Sequence, residues 1–521
     1  MLLDNPKAAV SVFLVCLFYL VNKYVKFRQT IRLTNNWPGF RTLFSDRFVF
    51  LPFRIRGITP GPQWTFYTKH GDFAEAGWDV ITAINALPTP EITYYVADAA
   101  VVKEIIGARA RFPKMTRVYD LLATFGSNIL VTEGDIWKRQ RKIAAPAFSE
   151  RNYRLVWDET IRIVEDMFDN VWGNKDVVEV PHVMDITVGI TLLVIGVAGF
   201  GRRISWTEDS IAPPGHSMTF KDALYEVSHR LFLKVVFSDW LLRHGTPQMR
   251  HFARAHSELD IYLKEMVQDR RSAKVKEERH DLFSNLLDAN EGELDSDAKL
   301  TDSELLGNVF IFLVAGYETT AHTLAYAFIL LALYQDEQEK FYQNIKSVLP
   351  SGRTPTYDEF SSLPYAMAVL NETLRHFPPV ITIPKESAED TSFTTTNAAG
   401  EKATIPVPRG AYIGICTRAL HFNPKYWDDP EAFKPERFLG NYHRDAFLPF
   451  SGGARGCVGR GFAETESVAV LSTIISRYKV EVLEEPQFAG ETFEQRKARL
   501  LKSQQSLTVY PERAPLVFKR R

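Results

Sequence analysis

Cysteine is scarce in this chain of 521 residues, which contains only Cys16, Cys416 and Cys457. Secreted scaffolds that depend on disulfides need several paired cysteines, so this content excludes that class and favours a reducing compartment that faces the cytosol. A structural zinc site needs several thiolates or imidazoles at short spacing. Residues 447–464 hold no second cysteine or histidine beside Cys457. The sequence therefore argues against a zinc site there.

A net charge of one sign is also lacking, because 62 lysine and arginine residues stand against 63 aspartate and glutamate residues. The formal net charge of −1 provides no basic field for a nucleic acid. The chain has no internal repeat and no low-complexity block. Helical periodicity dominates residues 99–380, whereas residues 91–98 and 403–415 have the composition of short strands. We therefore predict a mainly α fold with a minor β-sheet region and no nucleic-acid partner.

The N-terminal segment is apolar and is followed by basic residues. Residues 8–21 carry no charge, and Lys23, Lys26, Arg28 and Arg32 follow them. An apolar run with a cationic C-terminal flank predicts a single transmembrane helix whose C-terminal side lies in the cytosol. A cleaved signal peptide would instead require a basic segment before the run and a small-residue cleavage site after it. The sequence has neither, so we predict an uncleaved anchor.

Turn-forming residues follow this segment. The stretches WPGF at 37–40 and TPGP at 59–62 indicate rigid loops that orient the rest of the chain against the membrane. We expect residues 1–28 to form the N-terminal membrane anchor, residues 29–62 a basic and Pro/Gly-rich linker, and residues 63–521 a single catalytic domain.

The loop FLPFSGGARGCVGRGFAE, residues 447–464, places Cys457 among five glycines. A phosphate-binding loop would end in Lys-Ser/Thr, which is missing here. A lone thiolate can instead be the axial ligand of a haem iron, with glycines that bring the backbone and its amides close to the sulfur. Phe450 would then cover the sulfur, and Arg455 would reach a haem propionate. The alternative is a buried, inert cysteine in a glycine-rich turn.

A long apolar segment, residues 305–333, is interrupted by Glu-Thr-Thr at positions 318–320. Because the segment is apolar on nearly all sides, we predict a central buried helix. Burying a carboxylate costs several kcal/mol unless the group is paired or solvated, so this helix should border a wet cavity. Ala315 and Gly316 lack bulk and would leave room for a ligand. The alternative is a core or membrane helix whose threonines bond to their own backbone.

The cysteine loop resembles a signature motif of the cytochromes P450. Phe450, Gly453, Arg455, Cys457 and Gly459 match the Phe-x-x-Gly-x-Arg-x-Cys-x-Gly haem-binding loop of that family. The resemblance implies the P450 fold with Cys457 as the thiolate ligand of the iron in haem b. It also implies that Phe450, Arg455 and Gly459 belong to the cofactor-binding site.

The interrupted helix is similar to a second motif of the same family. Residues 315–320, AGYETT, match the oxygen-activation pattern Ala/Gly-Gly-x-Asp/Glu-Thr-Thr/Ser. The resemblance implies that Thr319 hydrogen-bonds dioxygen and that Glu318 relays protons. P450-fold isomerases or dehydratases need no reductase and often lack this acid-threonine pair, so the pair favours a monooxygenase. A non-catalytic haem-binding protein is a further alternative.

Two residue pairs on predicted helices also resemble P450 motifs. Glu372 and Arg375, spaced i, i+3, share one helix face, and Arg437 lies in a Pro-x-Arg-Phe element. The resemblance implies that these three residues form a buried structural triad behind the haem. Trp137 and Arg141, spaced i, i+4, are similar to the family's Trp-x-x-x-Arg, whose side chains bind a haem propionate. Either pair alone is also typical of an ordinary surface helix.

The four motifs, which contain Trp137, Glu318, Glu372 and Cys457, occur along the chain in the family's order. The resemblance covers essentially the whole chain. The motifs are most similar to those of fungal microsomal members. One departure lies in PPVITIPKESAED, residues 378–390. Many relatives place an arginine here that reaches a propionate, whereas this chain offers Thr382 and Lys385. The third propionate contact therefore stays open.

The resemblance implies a haem-thiolate monooxygenase that inserts one oxygen atom from O2 into a lipophilic substrate, such as a terpenoid, sterol, fatty acid or aromatic compound. By family analogy, an apolar pocket would be lined by residues 115–130, 312–320 and 380–383 and by residues near Leu507. These segments indicate a lipophilic substrate and do not identify it.

The implied electron source is NADPH, through an external NADPH–cytochrome P450 reductase, with cytochrome b5 as a further candidate partner. Lys138, Arg139 and Lys142 are candidates for a surface that docks an acidic partner, and ordinary solvation of these side chains is the alternative. The expected location is the endoplasmic reticulum membrane, with a single span and a cytosolic catalytic domain.

Overall fold

The computed structural model describes residues 6–47, 51, 53–201, 206, 211–272, 281–291 and 299–521. The chain divides into two compact units. The sheet unit consists of Met1–Met115, Val380–Ala432 and His443–Gly456. The helical unit consists of Thr116–Pro379, Phe433–Tyr442 and Cys457–Arg521. Both units draw on residues 63–521, and the single catalytic domain expected there stays a prediction.

Helices predominate and the sheets are small, which confirms the predicted fold class. The helices are α1 (Pro6–Leu33), α2 (Trp64–Thr68), α3 (Gly71–Ala76), α4 (Ala99–Gly107), α5 (Gly134–Ala144), α6 (Glu150–Asp166), α7 (Met184–Val194), α8 (Phe220–Arg230), α9 (Leu233–Val236), α10 (Asp239–His244), α11 (Pro247–Ser272), α12 (Leu282–Glu291), α13 (Asp302–Leu333), α14 (Gln335–Val348), α15 (Pro364–His376), α16 (Thr417–His421), α17 (Arg460–Arg477) and α18 (Phe493–Leu500). The strands are β1 (Gly39–Thr42), β2 (Val80–Asn85), β3 (Glu91–Val96), β4 (Val177–Val180), β5 (Thr382–Glu386), β6 (Thr391–Thr396), β7 (Lys402–Val407), β8 (Tyr412–Cys416), β9 (Tyr478–Val482), β10 (Ser503–Gln505), β11 (Val509–Pro511) and β12 (Leu516–Arg520).

The sheet unit is built on a five-stranded sheet in the order β1-β2-β3-β8-β5. Strand β3 pairs antiparallel with β2 and parallel with β8. The chain leaves β3 at Asp98, because the Asp98 carboxylate accepts the backbone N–H groups of Ala100 and Val101 and so starts α4. Between β7 and β8 the chain turns at Gly410, whose φ of 79° suits glycine.

Helix α13 is the central helix of the helical unit. A capping box between Thr301 and Glu304 fixes its first turn. Most of its 32 residues are buried, and it packs against α7, α15 and α17. Burial of an apolar side chain contributes about 1.5–3 kcal/mol, so this helix is a main source of the unit's stability.

The C-terminal part of the helical unit adds a small sheet and a hairpin. Strand β12 pairs antiparallel with β4 and with β9. Strands β10 and β11 pair antiparallel, with Gln505 opposite Val509. The hairpin packs against α13 through β11. Its turn, residues 506–508, is therefore held beside the central helix.

Residues 10–22 of α1 are exposed and include large apolar side chains such as Phe18, with 74% of its surface accessible, whereas Ile31 near the end of the helix is buried. Val10–Leu33 is a 24-residue stretch that contains an 18-residue window with a mean hydropathy of 1.6. By length and composition it can cross a membrane, and it is the candidate for the predicted span.

Candidate functional site

Cys457 lies just before α17 in the helical unit. Its thiol is accessible to solvent, yet surrounding protein raises its pKa by burial, so the sulfur faces a recess rather than open solvent. The backbone N–H of Gly459 and the guanidinium groups of Arg141 and Arg460 act in the opposite direction on this pKa, because they favour the thiolate. The N-terminal end of α17 adds a partial positive charge on the same side. The amide, the two guanidinium groups and the helix end favour the thiolate, whereas burial, the largest effect, keeps the pKa of the thiol above its usual value.

Gly453, four residues before Cys457, is required by geometry. Gly453 has a φ of 61°, and a Cβ at this position would lie 2.7 Å from Cγ2 of Ile106 within the sheet unit. Both the backbone conformation and the close approach exclude larger residues. Phe450 and Arg455 are half-buried and belong to the sheet unit, whereas Cys457 belongs to the helical unit. Their contacts with a haem stay predictions.

Helix α5 brings Trp137 and Arg141 to one face. Trp137 is buried, with 5% of its surface accessible, and Arg141 is half-buried. Burial lowers the pKa of Arg141, and the negative charge of Cys457 opposes this shift, so the guanidinium lies within electrostatic range of the sulfur. A partly desolvated guanidinium is a strong partner for a carboxylate. This environment fits the predicted propionate contact.

The middle of α13 opens toward space. Ala315 is exposed and Thr319 is half-exposed, although the helix around them is buried. The Thr319 hydroxyl donates a hydrogen bond of 2.8 Å to the carbonyl oxygen of Ala315. We expected the missing side chain of Gly316 to leave room for a ligand, but the structure fills this space with another residue. A Cβ on Gly316 would lie 2.8 Å from Cδ1 of Ile195, so this glycine lets the π-helical segment after α7 pack against α13.

Glu318 is buried, with 1% of its surface accessible. Its Oε1 accepts hydrogen bonds of 2.9 Å from the hydroxyls of Ser506 and Thr508. Its Oε2 has no hydrogen-bond partner among the residues that the structure describes. Burial raises the pKa of Glu318, whereas the two hydroxyls and His229 lower it. Burial, the largest of these effects, thus favours the protonated form of the carboxyl.

Ser506 and Thr508 are partners that the sequence reasoning missed. His322 is a third, because its Nδ1 lies 2.7 Å from the Thr508 hydroxyl. The hydroxyl-rich stretch SQQSLT, residues 503–508, was the available signal. No spacing rule connects this stretch with α13, because Glu318 and Thr508 are 190 residues apart in the chain.

The structure brings Glu372, Arg375 and Arg437 together. Arg375 donates two hydrogen bonds to Glu372, of 2.7 and 2.8 Å, and neither side chain is accessible. Arg437 lies 3.5 Å from Glu372, and the backbone N–H of Lys434 donates to the same carboxylate at 2.9 Å. Burial alone would raise the pKa of Glu372, but the bonds from Arg375 and His376 outweigh it and lower the pKa to about 2. A buried pair of this kind fixes geometry, because breaking it leaves an uncompensated charge.

The basic side chains of α5 differ in whether they are available to dock a partner protein. Arg139 donates hydrogen bonds of 3.0 and 2.5 Å to the carboxylate of Glu304, so it is committed to the fold. Lys138 bonds Asp135 at 2.7 Å and remains exposed, as does Lys142. Lys138 and Lys142 are therefore the better candidates for docking.

The two residues considered for the third propionate contact, Thr382 and Lys385, lie on β5 in the sheet unit. Lys385 is buried, with 4% of its surface accessible, and Thr382 is half-buried. Neither position shows whether its side chain contacts a propionate.

The donor set fits a thiolate-ligated haem. Within the described ranges, no group of three or more His, Cys, Asp or Glu side chains is placed to hold a metal ion. One accessible sulfur that receives an amide and a nearby guanidinium is instead the arrangement by which haem proteins tune an axial thiolate. The exposed Ala315 in a buried helix provides the open face that a flat cofactor and a substrate need.

Comparison with known proteins places the chain. Residues 87–506 match the family model described as Cytochrome P450. The chain is 56% identical over 502 residues to Cytochrome P450 monooxygenase 124 of Postia placenta, a match that covers 96% of this chain and 97% of the relative. It is 37% identical over 239 residues to Cyclooctat-9-en-7-ol 5-monooxygenase of Streptomyces melanosporofaciens, covering 45% of this chain and 49% of the relative. The crystal structure of the cytochrome P450DA heme domain shares the fold, with a TM-score of 0.73, 22% identity and coverage of 92% of this chain and 99% of that one. The chain therefore belongs to the cytochrome P450 family and is a monooxygenase that uses a thiolate-ligated haem.

Proposed function

We propose that this protein is a membrane-anchored monooxygenase that inserts one oxygen atom from O2 into a lipophilic substrate, with electrons from NADPH delivered by a separate NADPH–cytochrome P450 reductase. The observation that carries the proposal is Cys457, an accessible thiol in a recess beside Arg141 and an amide. The test is turnover with added reductase, NADPH and isotopically labelled O2, which the Discussion sets out.

The haem would be held by residues of the helical unit and of the cysteine loop. Haem b, when bound, supplies the reductive activation of O2 and the transfer of one oxygen atom to a C–H or C=C group. Cys457 would hold the iron as a thiolate. Trp137, Arg141 and Arg455 would bind the propionates, and Phe450 and Gly459 would shield and hydrogen-bond the sulfur. The Glu372, Arg375 and Arg437 triad would keep the surrounding segments in place.

Glu318 and Thr319 on α13 would hold and transfer protons. Burial raises the pKa of Glu318 and so favours the protonated form of its carboxyl. The Thr319 hydroxyl gives its own proton to the Ala315 carbonyl, which leaves its oxygen as an acceptor directed by the helix. An acid and a hydroxyl acceptor in adjacent positions can hold and pass a proton. This pair is also the reason to prefer oxygen insertion over isomerisation, dehydration or haem binding without catalysis.

The substrate class is proposed as lipophilic, with a terpenoid, sterol, fatty acid or aromatic compound as the candidates. The Streptomyces relative acts, by its name, on an unsaturated alcohol, cyclooctat-9-en-7-ol. A screen of compounds from the four classes for shifts in the haem absorption spectrum would identify the ligand. Compounds that displace water from the iron shift the band, whereas compounds that stay outside the recess do not.

The reductase surface is proposed to include Lys138 and Lys142, which are exposed on α5. Acidic partners associate faster with such a surface at low ionic strength. Cytochrome b5 is proposed as a second electron donor for the same face. Arg139 is left out of this surface because it pairs with Glu304.

The protein is proposed to sit in the endoplasmic reticulum membrane through α1, with its catalytic part in the cytosol. The cationic residues Lys23, Lys26, Arg28 and Arg32 follow the apolar run and favour the cytosolic side. Protease added to intact microsomes should digest the catalytic part while a luminal marker protein survives. If the catalytic part is protected until detergent is added, the orientation is the reverse.

A further inference from the structure

Four polar contacts attach the C-terminal hairpin to one side of α13. The Tyr326 hydroxyl donates to Ser503 at 2.7 Å. His322 contacts Thr508 at 2.7 Å. One turn before His322, Glu318 accepts from Ser506 and Thr508. The hairpin therefore contacts Glu318 directly, the acidic member of the Glu318–Thr319 pair.

The donors determine how the Glu318 carboxyl is used. Oε1 accepts from two hydroxyls at 2.9 Å, which occupies both of its lone pairs. In the neutral acid the proton therefore resides on Oε2, the buried oxygen without a hydrogen-bond partner among the described residues. An unpaired oxygen that carries the proton is free to give it to a water or a reacting group.

The direction of the hydrogen bond between His322 and Thr508 follows from that of the bond between Thr508 and Glu318. Because the Thr508 hydroxyl donates its proton to Glu318, its oxygen can only accept from Nδ1 of His322. Burial, with a smaller effect from His229, lowers the pKa of His322 to about 3, so the ring is neutral. A neutral ring with its proton on Nδ1 keeps the Thr508 hydroxyl pointed at Glu318.

We propose that Ser506 and Thr508, with His322 orienting Thr508, are positioning residues that hold Oε1 of Glu318 and leave Oε2 to deliver the proton. This inference rests on the proposed function of Glu318 in the reaction and names the elements that control it. The residues lie outside the two motifs that point to the haem and oxygen sites. They connect the last hairpin of the chain to the proton step.

Other titratable groups lie near Glu318. His229 on α8, Tyr317 on α13 and Tyr510 on β11 interact with it electrostatically. Tyr225 on α8 acts on the two tyrosines, and His322 lies one turn along α13. The pKa values of Tyr317 and Tyr510 are raised, first by burial and further by Glu318, so both stay neutral. His229 is the group in this set whose positive form lowers the pKa of Glu318. A variant at position 229 can therefore distinguish a pH effect that arises from Glu318 from one that arises from His229.

The experiment compares Thr508→Val, Thr508→Ser and Ser503→Ala in the haem-bound full-length protein. Thr508→Val removes the donor with little change in shape, and Thr508→Ser keeps it. Ser503→Ala removes a hydroxyl contact between the same hairpin and α13 that does not reach Glu318. The first measurement is the infrared pH-difference spectrum of the protonated carboxyl, with Glu318→Gln as the baseline. It needs no substrate and no reductase.

Loss of a donor to the carboxylate should raise the pKa of Glu318, because the donor stabilises the charged form. The infrared midpoint should move up by about one pH unit in Thr508→Val, since one bond to a charged group is equivalent to a shift of that size. The alkaline limb of the pH profile of kcat should move in the same direction, while KM stays unchanged. Thr508→Ser should restore the wild-type midpoint, and His229→Gln should leave the Thr508→Val shift in place.

Two results would overturn the inference. One is a Thr508→Val midpoint equal to that of the wild type. The other is a Ser503→Ala shift as large as that of Thr508→Val, because the hairpin would then act through stability alone. A wild-type protein that forms no product with reductase and NADPH would refute the proposed function instead, and the infrared result would stand independently.

Discussion

Replacing Cys457 with alanine is expected to abolish the thiolate-type absorption band of the reduced, carbon monoxide-bound protein. The sulfur is the accessible thiol in the recess, and Gly459 and Arg141 are placed to favour its ionised form. Without it, the iron loses its axial ligand and the electron donation that supports O–O cleavage. We expect complete loss of NADPH-dependent product. The difference spectrum of membranes that contain equal amounts of each protein measures the effect.

Two matched variants separate ligand loss from misfolding. Cys457→His offers a nitrogen ligand and should bind haem with the spectrum of an imidazole-ligated iron. Cys416→Ala removes the other thiol of the globular part, whose pKa burial raises far above the usual range, and should leave the thiolate band intact. A thiolate band that survives in Cys457→Ala and disappears in Cys416→Ala would reverse the assignment.

Replacing Thr319 with alanine should uncouple NADPH consumption from product formation. Thr319 is half-exposed on α13 and its hydroxyl donates to the Ala315 carbonyl, so its replacement deletes an acceptor without opening the core. We expect product per NADPH to fall roughly tenfold, because one hydrogen bond that matters only at the proton step is equivalent to about 1.4 kcal/mol. Hydrogen peroxide should rise in compensation. A reaction driven by added peroxide should be affected less, since it bypasses protonation of dioxygen.

Thr323 provides the control for this variant. Its hydroxyl donates a hydrogen bond of 2.8 Å to the carbonyl of Thr319, one turn along the same helix, but its side chain is buried. Thr323→Ala should remove the same type of backbone contact and leave coupling unchanged, and Thr319→Ser should restore most of the wild-type ratio. If Thr319→Ala couples as well as Thr323→Ala, the hydroxyl has no role in proton delivery.

Local sequence patterns were sufficient where chemistry depends on neighbours in the chain. Gly453 is needed because its backbone has a positive φ and a close neighbour, and a short motif in the sequence marks this position. The contact of Glu372 with Arg375 follows from helical spacing alone. Its burial does not follow from that spacing, since an exposed helix can carry the same pair.

Contacts between distant segments could not be read from the sequence. Glu318 obtains its partners from a hairpin near the C-terminus, and only tertiary packing brings Ser506 and Thr508 to it. Gly316 was expected to face a ligand, and the structure gives its space to Ile195. Arg139 was expected on a docking surface, and Glu304 binds it instead. In each case the outcome depends on which residue of another helix or hairpin arrives at that position.

The most direct test of the central claim is turnover under 18O2 with NADPH and added reductase, on a compound that shifts the haem spectrum. The account predicts one 18O atom in each product molecule, none from H218O, and no product with Cys457→Ala. Product that forms without 18O, or that forms equally in the absence of NADPH and reductase, would contradict a monooxygenase built around Cys457.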